Sequence, residues 1–421
     1  MKVAVIGSGI SGLAAAYLAH QNGEEVHLFE KGSYFGGHSN SILINDGFSE
    51  FYADTGFLVH NPRTYPNFIE LLKVLEVTTV ESQMTLSIQI IDRNIEWGGT
   101  NVGTLFAQKT NLLRPSFHRM VRDILRFNKQ APIFLQQTKL NTKMTLAALL
   151  DEHQFSKELR DWYLVPMAAA IWSTPANKIV DFPAFTFLQF CLNHNLLQVD
   201  GRPQWRTIAG GSREYVRRMV DRISSKHLNC QIESVSRLNG KVQIIFSDSI
   251  QTFDQVIFAT HADQTMKLLS DLQEDEQELL AKFQFQKNIA LVHSDSRLLP
   301  RRKKLWSAWN YASSPRTDQV SVSYFLNHLQ KLPTQMPVVV TLNPHMEVAS
   351  ERILRRIEYT HPIFDSGAVE AQKRISQIQG RGGIFHCGAW QGYGFHEDGL
   401  KSALKIAKIK NWKVPWSPTY E

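Results

Sequence analysis

The chain opens on a glycine-rich turn between a short apolar segment and a run of small residues. Residues 3–6 are valine, alanine and isoleucine, Gly7, Gly9 and Gly12 form a Gly-x-Gly-x-x-Gly pattern, and residues 13–16 are leucine and alanine. The pattern predicts a buried strand, a tight turn and a helix whose first N–H groups can bind a pyrophosphate. The first glycine permits the turn, the second leaves room for phosphates, and the third allows helix and strand to pack closely. A dinucleotide is the expected ligand.

The next strand-like segment supports this interpretation and argues against a secretion signal. Residues 24–30 end in Glu30, about twenty residues after the glycines, where a carboxylate can bind the ribose hydroxyls of an adenine dinucleotide. The lysine, apolar residues and alanines of the N-terminus also resemble a signal peptide, but cleavage would remove the predicted strand. We therefore predict that this segment belongs to the folded domain.

Size and cysteine usage favour a two-domain cytoplasmic protein. The chain has 421 residues, of which 43% are hydrophobic and 10% aromatic, and it is longer than a single core usually grows. No apolar run approaches the roughly twenty residues that a membrane-spanning helix needs. Cys191, Cys230 and Cys387 are far apart, which fits a reducing compartment and predicts no metal site.

The net charge of +7 is concentrated in two segments. Residues 297–304 contain five arginines and lysines, and this local cluster explains much of the surplus, so no nucleic-acid partner is predicted. Residues 109–129 mix basic and apolar residues at amphipathic-helix spacing. Two interpretations stay open: the helix contacts an anionic membrane at its inner face, or it packs its apolar side on the core.

Strand and helix signals divide the chain into alternating blocks. Residues 66–200 are mostly helical in pattern, and strand signals return at 230–235, 241–247 and 255–259 with an Asn-Gly turn between the first two. Residues 382–410 indicate a strand, a glycine-aromatic loop and a helix. These blocks predict a discontinuous nucleotide-binding domain that is interleaved with a second domain.

Three further segments resemble flavin-binding motifs. Residues 36–39 are a glycine doublet followed by His38 and Ser39, residues 254–260 end in Ala-Thr, and residues 387–403 form the glycine-aromatic loop and helix start. In this order they resemble the FAD motifs of flavin-dependent amine oxidases, protoporphyrinogen oxidases and carotenoid desaturases, which usually have arginine where this chain has His38. The segments 205–212, 259–263 and 392–399 also resemble a bacterial family of predicted NAD/FAD-binding oxidoreductases that is often associated with fatty-acyl-modifying enzymes.

The resemblance implies an α/β fold with a three-layer, Rossmann-like FAD-binding domain and an interleaved α+β substrate domain. The FAD-binding domain would comprise residues 1–65, 204–270 and 378–421, and the substrate domain residues 66–203 and 271–377. By position, the main chain of Val235 would meet the adenine. The N–H groups of Glu397 and Leu400 would face the pyrimidine end of the flavin, where reduced flavin carries negative charge.

The candidate cofactor-binding residues come from the start, the middle and the end of the chain. They are Gly7, Gly9, Ser11, Gly12, Glu30, Lys31, Gly36, Gly37, His38, Thr55, Gly56, Phe57, Val235, Thr260, Gly388, Glu397, Gly399 and Leu400.

Four residues are candidates for contact with the substrate or the flavin ring. Lys287 resembles the family lysine that holds a water near flavin N5. His396 lies where the amine oxidases have an aromatic residue beside the ring, with Trp390 and Tyr393 nearby in the loop. An imidazole offers proton transfer rather than an aromatic cage for an amine. Aromatic residues at 172–190 and 306–309 either line an apolar tunnel or belong to the core.

These residues favour an FAD-dependent oxidoreductase that changes the saturation of an apolar substrate such as a fatty-acyl or other lipid chain. One alternative is an amine oxidase that releases hydrogen peroxide. Another is a flavin-bound membrane or partner adaptor without turnover. A dehydrogenase that uses only NAD(P) conflicts with the glycine doublet and the terminal motif. The pattern does not specify the oligomeric state.

Overall fold

The computed structural model describes residues 1–141, 143–172, 175–198, 201, 203–313 and 321–420. Its strands, in chain order, are β1 (Lys2–Ile6), β2 (Glu25–Phe29), β3 (Ser41–Asn45), β4 (Glu50–Asp54), β5 (Thr79–Glu81), β6 (Leu86–Ile90), β7 (Ile95–Gly98), β8 (Arg206–Ile208), β9 (Ser225–His227), β10 (Ile232–Leu238), β11 (Lys241–Phe246), β12 (Ile250–Phe253), β13 (Gln255–Phe258), β14 (Gln284–His293), β15 (Trp309–Ser313), β16 (Ser321–Phe325), β17 (Val339–Leu342), β18 (Ile353–Ile363) and β19 (Ile384–His386).

The α-helices of the described ranges follow the same order. They are α1 (Ile10–Gln21), α2 (Pro66–Val74), α3 (Val102–Leu105), α4 (Pro115–Leu140), α5 (Leu146–Glu152), α6 (Lys157–Leu159), α7 (Val165–Trp172), α8 (Ala176–Ile179), α9 (Ala184–Asn193), α10 (Arg213–Val220), α11 (Ala262–Leu268), α12 (Glu274–Leu280), α13 (Leu326–Gln330), α14 (Ser366–Arg374) and α15 (His396–Ile409).

The nucleotide-binding half is built on a parallel sheet with the strand order β19-β13-β1-β2-β9. Pairs such as Val5 with Leu28 and Val5 with Ile257 fix the register of the central strands. Because the strands are parallel, their carboxyl ends meet at one edge, and this edge is the usual ligand site of such sheets. The predicted α/β class with a Rossmann-like parallel sheet is confirmed.

The second half of the structure contains a mixed sheet. Its order is β18-β14-β17-β16-β15-β6-β7, and β15 pairs with β6 in parallel while the other neighbours are antiparallel. Helices α4, α7 and α9 share a hydrophobic core with strands β6, β15 and β16. A smaller antiparallel sheet, β10-β11-β12, contains the predicted hairpin. Its turn residues Asn239 and Gly240 both have positive φ, at 51° and 75°, as an Asn-Gly turn requires.

Helix α2 packs with the nucleotide-binding half although the sequence assigned residues 66–203 to the second domain. Phe68, Leu71 and Leu72 are buried in the same core as helices α1 and α15. Packing therefore moves the first boundary beyond this helix. The remaining domain boundaries stay a prediction.

Helix α4 favours the second interpretation of the basic segment at 109–129. Phe117, Met120, Phe127 and Phe134 on its apolar side are buried in the large core. That side therefore cannot lie on a membrane. Among the described residues, no helix combines the length and apolarity needed to cross a bilayer.

Candidate functional site

A cavity of about 300 Å³ lies at the carboxyl edge of the parallel sheet and extends toward the mixed sheet. Many of the predicted site residues line this cavity. The predicted residues among its lining are Gly9, Ser11, Gly36, His38, Thr55, Gly56, Phe57, Thr260, Gly388, Trp390, Tyr393 and His396. The structure therefore brings segments from the start, the middle and the end of the chain to one site.

The three glycines of the first turn have different surroundings. A Cβ on Gly12 would overlap the carbonyl oxygen of Gly7, and a Cβ on Gly7 would lie 2.8 Å from the carbonyl oxygen of Ala259. A Cβ on Gly9 would meet no atom within 4 Å. Gly7 and Gly12 therefore allow the backbones to pack, whereas Gly9 leaves open space in front of the first turn of α1.

Glu30 closes the other side of this turn. Its carboxylate accepts hydrogen bonds from the Ser8 N–H at 2.9 Å, the Ser8 hydroxyl at 2.6 Å and the Gly32 N–H at 2.8 Å. A ribose hydroxyl would add to these bonds at the end of β2. The neighbouring Lys31 is exposed. Gly37 packs closely against Gly9, because a Cβ on Gly37 would lie 3.1 Å from the Gly9 Cα.

The expected main-chain contact of Val235 with the adenine stays a prediction. Its carbonyl oxygen accepts the Ser270 N–H at 2.9 Å, and the residue pairs with Ile244 inside the small sheet. The segment beside Glu30 lies earlier, where the Asn229 N–H donates to Gly32 and the Cys230 N–H donates to Glu30, each at 2.9 Å.

Thr55, Gly56 and Phe57 run along the cavity beside His38. The Phe57 N–H donates to the His38 carbonyl at 2.8 Å, and any side chain on Gly56 would overlap that carbonyl. The Thr55 hydroxyl is hydrogen-bonded to the Tyr359 hydroxyl at 2.7 Å. These contacts join residues 55–57 to His38, which follows the glycine doublet, and to Tyr359 in β18.

His396 is held rigidly at the start of α15. Its Nε2 lies 2.6 Å from the Tyr215 hydroxyl and 3.3 Å from the Ser39 hydroxyl, and its ring stacks on Phe57 with centroids 3.7 Å apart. Burial lowers the pKa of His396 to about 3, so the ring is neutral at physiological pH. Sequence reasoning missed Tyr215, which lies 181 residues away in the chain and carries no motif.

Trp390 links two loops and has little exposed surface. Its indole N–H donates to the Thr260 carbonyl at 3.1 Å, and its ring packs on Phe283 with centroids 4.5 Å apart. Only 2% of the residue is exposed, so it positions the loops after β13 and β19. Any side chain on Gly388 would overlap this indole. Tyr393 faces the cavity beside Phe190, and burial raises the pKa of its phenol to about 12.

Lys287 does not lie in the cavity wall. Its side chain is 75% exposed and forms an ion pair with Glu358 at 3.0 Å. Phe285, two residues earlier in β14, lines the cavity instead. The expected position beside the flavin is therefore not supported.

Lys287→Met is accordingly expected to leave cofactor binding and flavin reduction unchanged. An exposed ion pair contributes little, so the free energy of unfolding should change by less than about 0.5 kcal/mol. Stopped-flow reduction and urea melts check this. A slowed reduction in a variant of normal stability would return Lys287 to the site.

The start of α15 is tied to α2 by Glu397. Its buried carboxylate accepts the Asn67 N–H and the Phe68 N–H, both at 3.0 Å, and the Asn67 amide at 2.7 Å. Glu397 lies in the first turn, where main-chain N–H groups have no partner within the helix. Leu400 lies beyond this first turn, because the Gly399 N–H already bonds to the Phe395 carbonyl and the hydrogen bonds within the helix continue from there. Leu400 is a fully buried core residue rather than an N–H donor.

Gly399 has a packing role in this helix. A Cβ there would lie 2.7 Å from Ile10 and 2.8 Å from the Ser11 hydroxyl. The glycine therefore allows α15 to approach the first turn of α1.

Glu397→Ala is expected to lower the free energy of unfolding by roughly 3 kcal/mol, because it leaves buried N–H groups of α2 without acceptors. Glu70→Ala is the matched control on the same helix, since Glu70 forms an exposed ion pair with Lys73. The control should change stability by less than about 0.5 kcal/mol. Urea melts of both variants measure the difference, and equal losses would contradict this role of Glu397.

Histidines also gather on the opposite wall of the cavity. The His38 ring stacks on Tyr359 at 4.6 Å and lies 5.2 Å from the His361 ring, while His261 stacks on Phe285 at 4.3 Å. His38 Nε2 is buried without a hydrogen-bond partner in the described structure. Burial lowers the pKa of His361 to about 4 and that of His38 well below its ordinary value. Nothing in the spacing of His361 predicted this position.

Acidification is expected to destabilise the apoprotein between pH 6.5 and about 4. Above pH 6.5 these histidines are neutral in both folded and unfolded chains. Below it, the unfolded chain gains protons that the buried rings do not take up, so stability falls. For His361 the effect is up to about 3 kcal/mol. Asp398 has the opposite effect on stability. Burial raises its pKa to about 6, so on acidification the folded chain takes up this proton before the unfolded chain does.

Urea melts of the wild-type protein and of His361→Gln across this range measure the contribution of His361. The variant should lose less stability than the wild-type protein on acidification. Parallel curves would contradict the assignment.

A second, smaller cavity of about 100 Å³ continues the first one into the helical half. The residues that line both cavities are Met84, Ile171, His194, Leu196, Trp205 and Trp309. Within the described ranges, neither cavity is lined by aspartate, glutamate, lysine or arginine. Trp172, Phe190 and Trp309 line the first cavity, whereas Phe182 and Phe187 belong to the core alone. The site is thus a continuous, uncharged and largely apolar channel.

Comparison with known proteins agrees with this architecture. Residues 5–75 match the family model described as an NAD(P)-binding Rossmann-like domain. A 4,4'-diapophytoene desaturase (4,4'-diaponeurosporene-forming) of Staphylococcus aureus strain Newman is 51% identical over 49 residues, which cover 12% of this chain and 10% of the desaturase. The chain thus matches only about a tenth of the length of these curated relatives.

Two solved structures match almost the whole chain. A CLA-producing fatty acid isomerase from P. acnes has 15% identity and a TM-score of 0.70, and the match covers 97% of this chain and 98% of the isomerase. Putrescine oxidase bound to putrescine has 15% identity and a TM-score of 0.71, with 98% and 99% covered. At this identity the likeness shows the fold. The chain therefore begins with a nucleotide-binding Rossmann-like domain and has the fold of the flavin amine oxidases.

Proposed function

We propose that the protein is an FAD-dependent oxidoreductase that changes the saturation of an apolar substrate, a fatty-acyl or other lipid chain. The observation that carries this proposal is the lining of the two cavities, which holds aromatic and aliphatic side chains but no charged side chain among the described residues. Such a channel favours a hydrocarbon chain, because a buried charge without a partner is costly. The similarity to a fatty acid isomerase agrees with this substrate class.

The residues present fit FAD. The open space at Gly9 faces the first turn of α1, where N–H groups suit a pyrophosphate, and Glu30 stands at the adjacent strand end for the ribose. His38 lines the same cavity, and its Nε2 is buried without a hydrogen-bond partner in the described structure. The loop 388–395 and the first turn of α15 form the far end, where the N–H of Glu397 can stabilise negative charge.

FAD held by these residues would supply two-electron redox chemistry, the acceptance of a hydride from a substrate C–H bond. The chain's own residues exclude water from the channel and hold the reacting carbons in place. His396 is neutral and hydrogen-bonded to Tyr215. Because burial disfavours its protonated form, His396 would act by holding Tyr215 and Phe57 in the cavity wall.

The alternative of an amine oxidase has one supporting observation, the similarity to putrescine oxidase. The described lining of both cavities provides no carboxylate to attract an ammonium group, and His396 replaces an aromatic partner for it. The third alternative, an adaptor without turnover, predicts a bound flavin that no lipid reduces.

Anaerobic titration of the purified flavoprotein separates these functions. Lipid extracts should bleach the flavin band, whereas mono- and polyamines should not bleach it or release peroxide in air. Bleaching by amines alone would establish the amine oxidase, and no bleaching by either class would favour the adaptor. Extraction of a nicotinamide nucleotide and no flavin would overturn all three.

A further inference from the structure

One surface of the substrate half combines exposed apolar side chains with lysines, and we call it the basic-apolar patch. It consists of Val102, Lys109, Leu112, Leu113, Lys303 and Lys304. Val102 is 73% exposed, Leu112 52% and Leu113 86%. Exposed aliphatic side chains gathered on one surface mark a contact site for a partner or a membrane.

Tertiary structure places the two basic segments of the sequence against the same hairpin, β6–β7. The Lys304 ammonium lies 3.1 Å from the position that a Cβ on Gly103 would take, next to Val102. The Arg302 guanidinium pairs with Glu96 at 2.6 Å, and the Arg114 guanidinium donates to the Asn94 carbonyl at 3.0 Å. Both segments are thus anchored on the β6–β7 hairpin, although almost two hundred residues separate them in the chain.

The charge of the patch is not neutralised by its neighbours. Glu96 is buried and is used by Arg302, and Asp92 pairs with Arg93 at 3.5 Å. In the described part of the chain, Lys109, Lys303 and Lys304 form no ion pair with an acidic side chain. Lysines around exposed leucines complement a surface that has negative head groups above hydrocarbon.

The patch lies at one end of the apolar channel. Trp97 and Gly99 line the second cavity, and Gly99 is exposed, so this cavity reaches the surface there. Val102 follows three residues later, a span of at most about 10 Å along the chain. A hydrocarbon chain could therefore pass from a bilayer beside the patch into the channel without crossing bulk water.

We propose that the basic-apolar patch docks on the surface of an anionic phospholipid bilayer and presents the open end of the channel to its acyl chains. The proposal rests on the proposed function for the substrate class, but the docking itself is independent of turnover. Each lysine adds electrostatic attraction that salt screens, and the leucines insert below the head groups.

Vesicle co-sedimentation of the full flavin-loaded protein tests the docking. The protein should bind mixed phosphatidylcholine–phosphatidylglycerol vesicles about tenfold more tightly than phosphatidylcholine alone, and high salt should remove the difference. Leu113→Ser combined with Lys304→Gln should lower binding to the mixed vesicles about tenfold. Leu125→Ser combined with Lys129→Gln is the matched control, since both residues are exposed on α4 outside the patch.

Equal binding by the patch variant and the control variant, or no preference for anionic vesicles, would overturn the proposal. If the double variant has a lowered melting temperature, Leu113→Ser alone carries the test. Flavin bleaching by lipid in detergent is measured on the same proteins and should be unchanged in both variants. Vesicle binding without any bleaching would leave the patch assigned and reject the proposed function.

Discussion

Gly9→Val is expected to give a folded protein that purifies without flavin. The Gly9 backbone is extended, at φ −64° and ψ 177°, which valine adopts readily. Its Cβ would meet no protein atom within 4 Å, so the side chain would fill the space that we assign to the phosphates. We expect FAD affinity to fall about 100-fold or more, equivalent to about 2.8 kcal/mol. Absorbance of the purified protein and fluorescence titration of the apoprotein with FAD measure this.

Gly12→Ala provides the contrast at the same turn. Its Cβ would overlap the Gly7 carbonyl, so the variant should lose stability before it loses any specific phosphate contact. Normal flavin content in Gly9→Val would remove the phosphate site from this turn, and with it the proposed position of the cofactor.

Leu196→Trp is expected to abolish turnover of long-chain substrates and to leave bound flavin intact. Leu196 is half-buried in the segment after α9 and lines both cavities. An indole at the junction would close the second cavity while leaving the cofactor end of the first one open. Activity on long chains should fall at least about 100-fold, corresponding to about 2.7 kcal/mol of lost transition-state stabilisation. Substrates short enough to stay within the first cavity should still reduce the flavin.

Leu228→Trp is the matched control for this channel block. Leu228 is 37% exposed and lies outside both cavities. It should retain activity on all chain lengths. A loss of activity in Leu196→Trp that is independent of chain length would indicate a disturbed flavin site instead of a blocked channel.

Local sequence determined the nucleotide-binding core. The glycines of the first turn, the acid at the end of β2 and the Asn-Gly hairpin each need one backbone geometry, and short-range sterics impose it wherever the residues occur. These features therefore allowed the α/β class and its Rossmann-like parallel sheet to be predicted.

Errors arose where a residue's role depends on its register in a sheet or helix. Lys287 and Phe285 lie two positions apart in one strand, but Phe285 lines the cavity whereas Lys287 is exposed and paired with Glu358. Leu400 lies beyond the first turn of its helix, where main-chain N–H groups bond within the helix. The spacing of a motif predicts that such residues lie near a site. It does not predict which of their side chains or main-chain N–H groups can contact a ligand.

The sequence by itself determined the glycine-rich turn of a Rossmann-like domain, the glycine-aromatic terminal loop and the two basic segments. Only the tertiary structure decided that His396 pairs with Tyr215, that the two cavities share lining residues in an uncharged channel, and that both basic segments contact the β6–β7 hairpin. The physical reason is the range of the interactions. Turns and caps are set by residues a few positions apart, whereas cavities and surfaces are set by contacts between segments that the chain brings together only on folding.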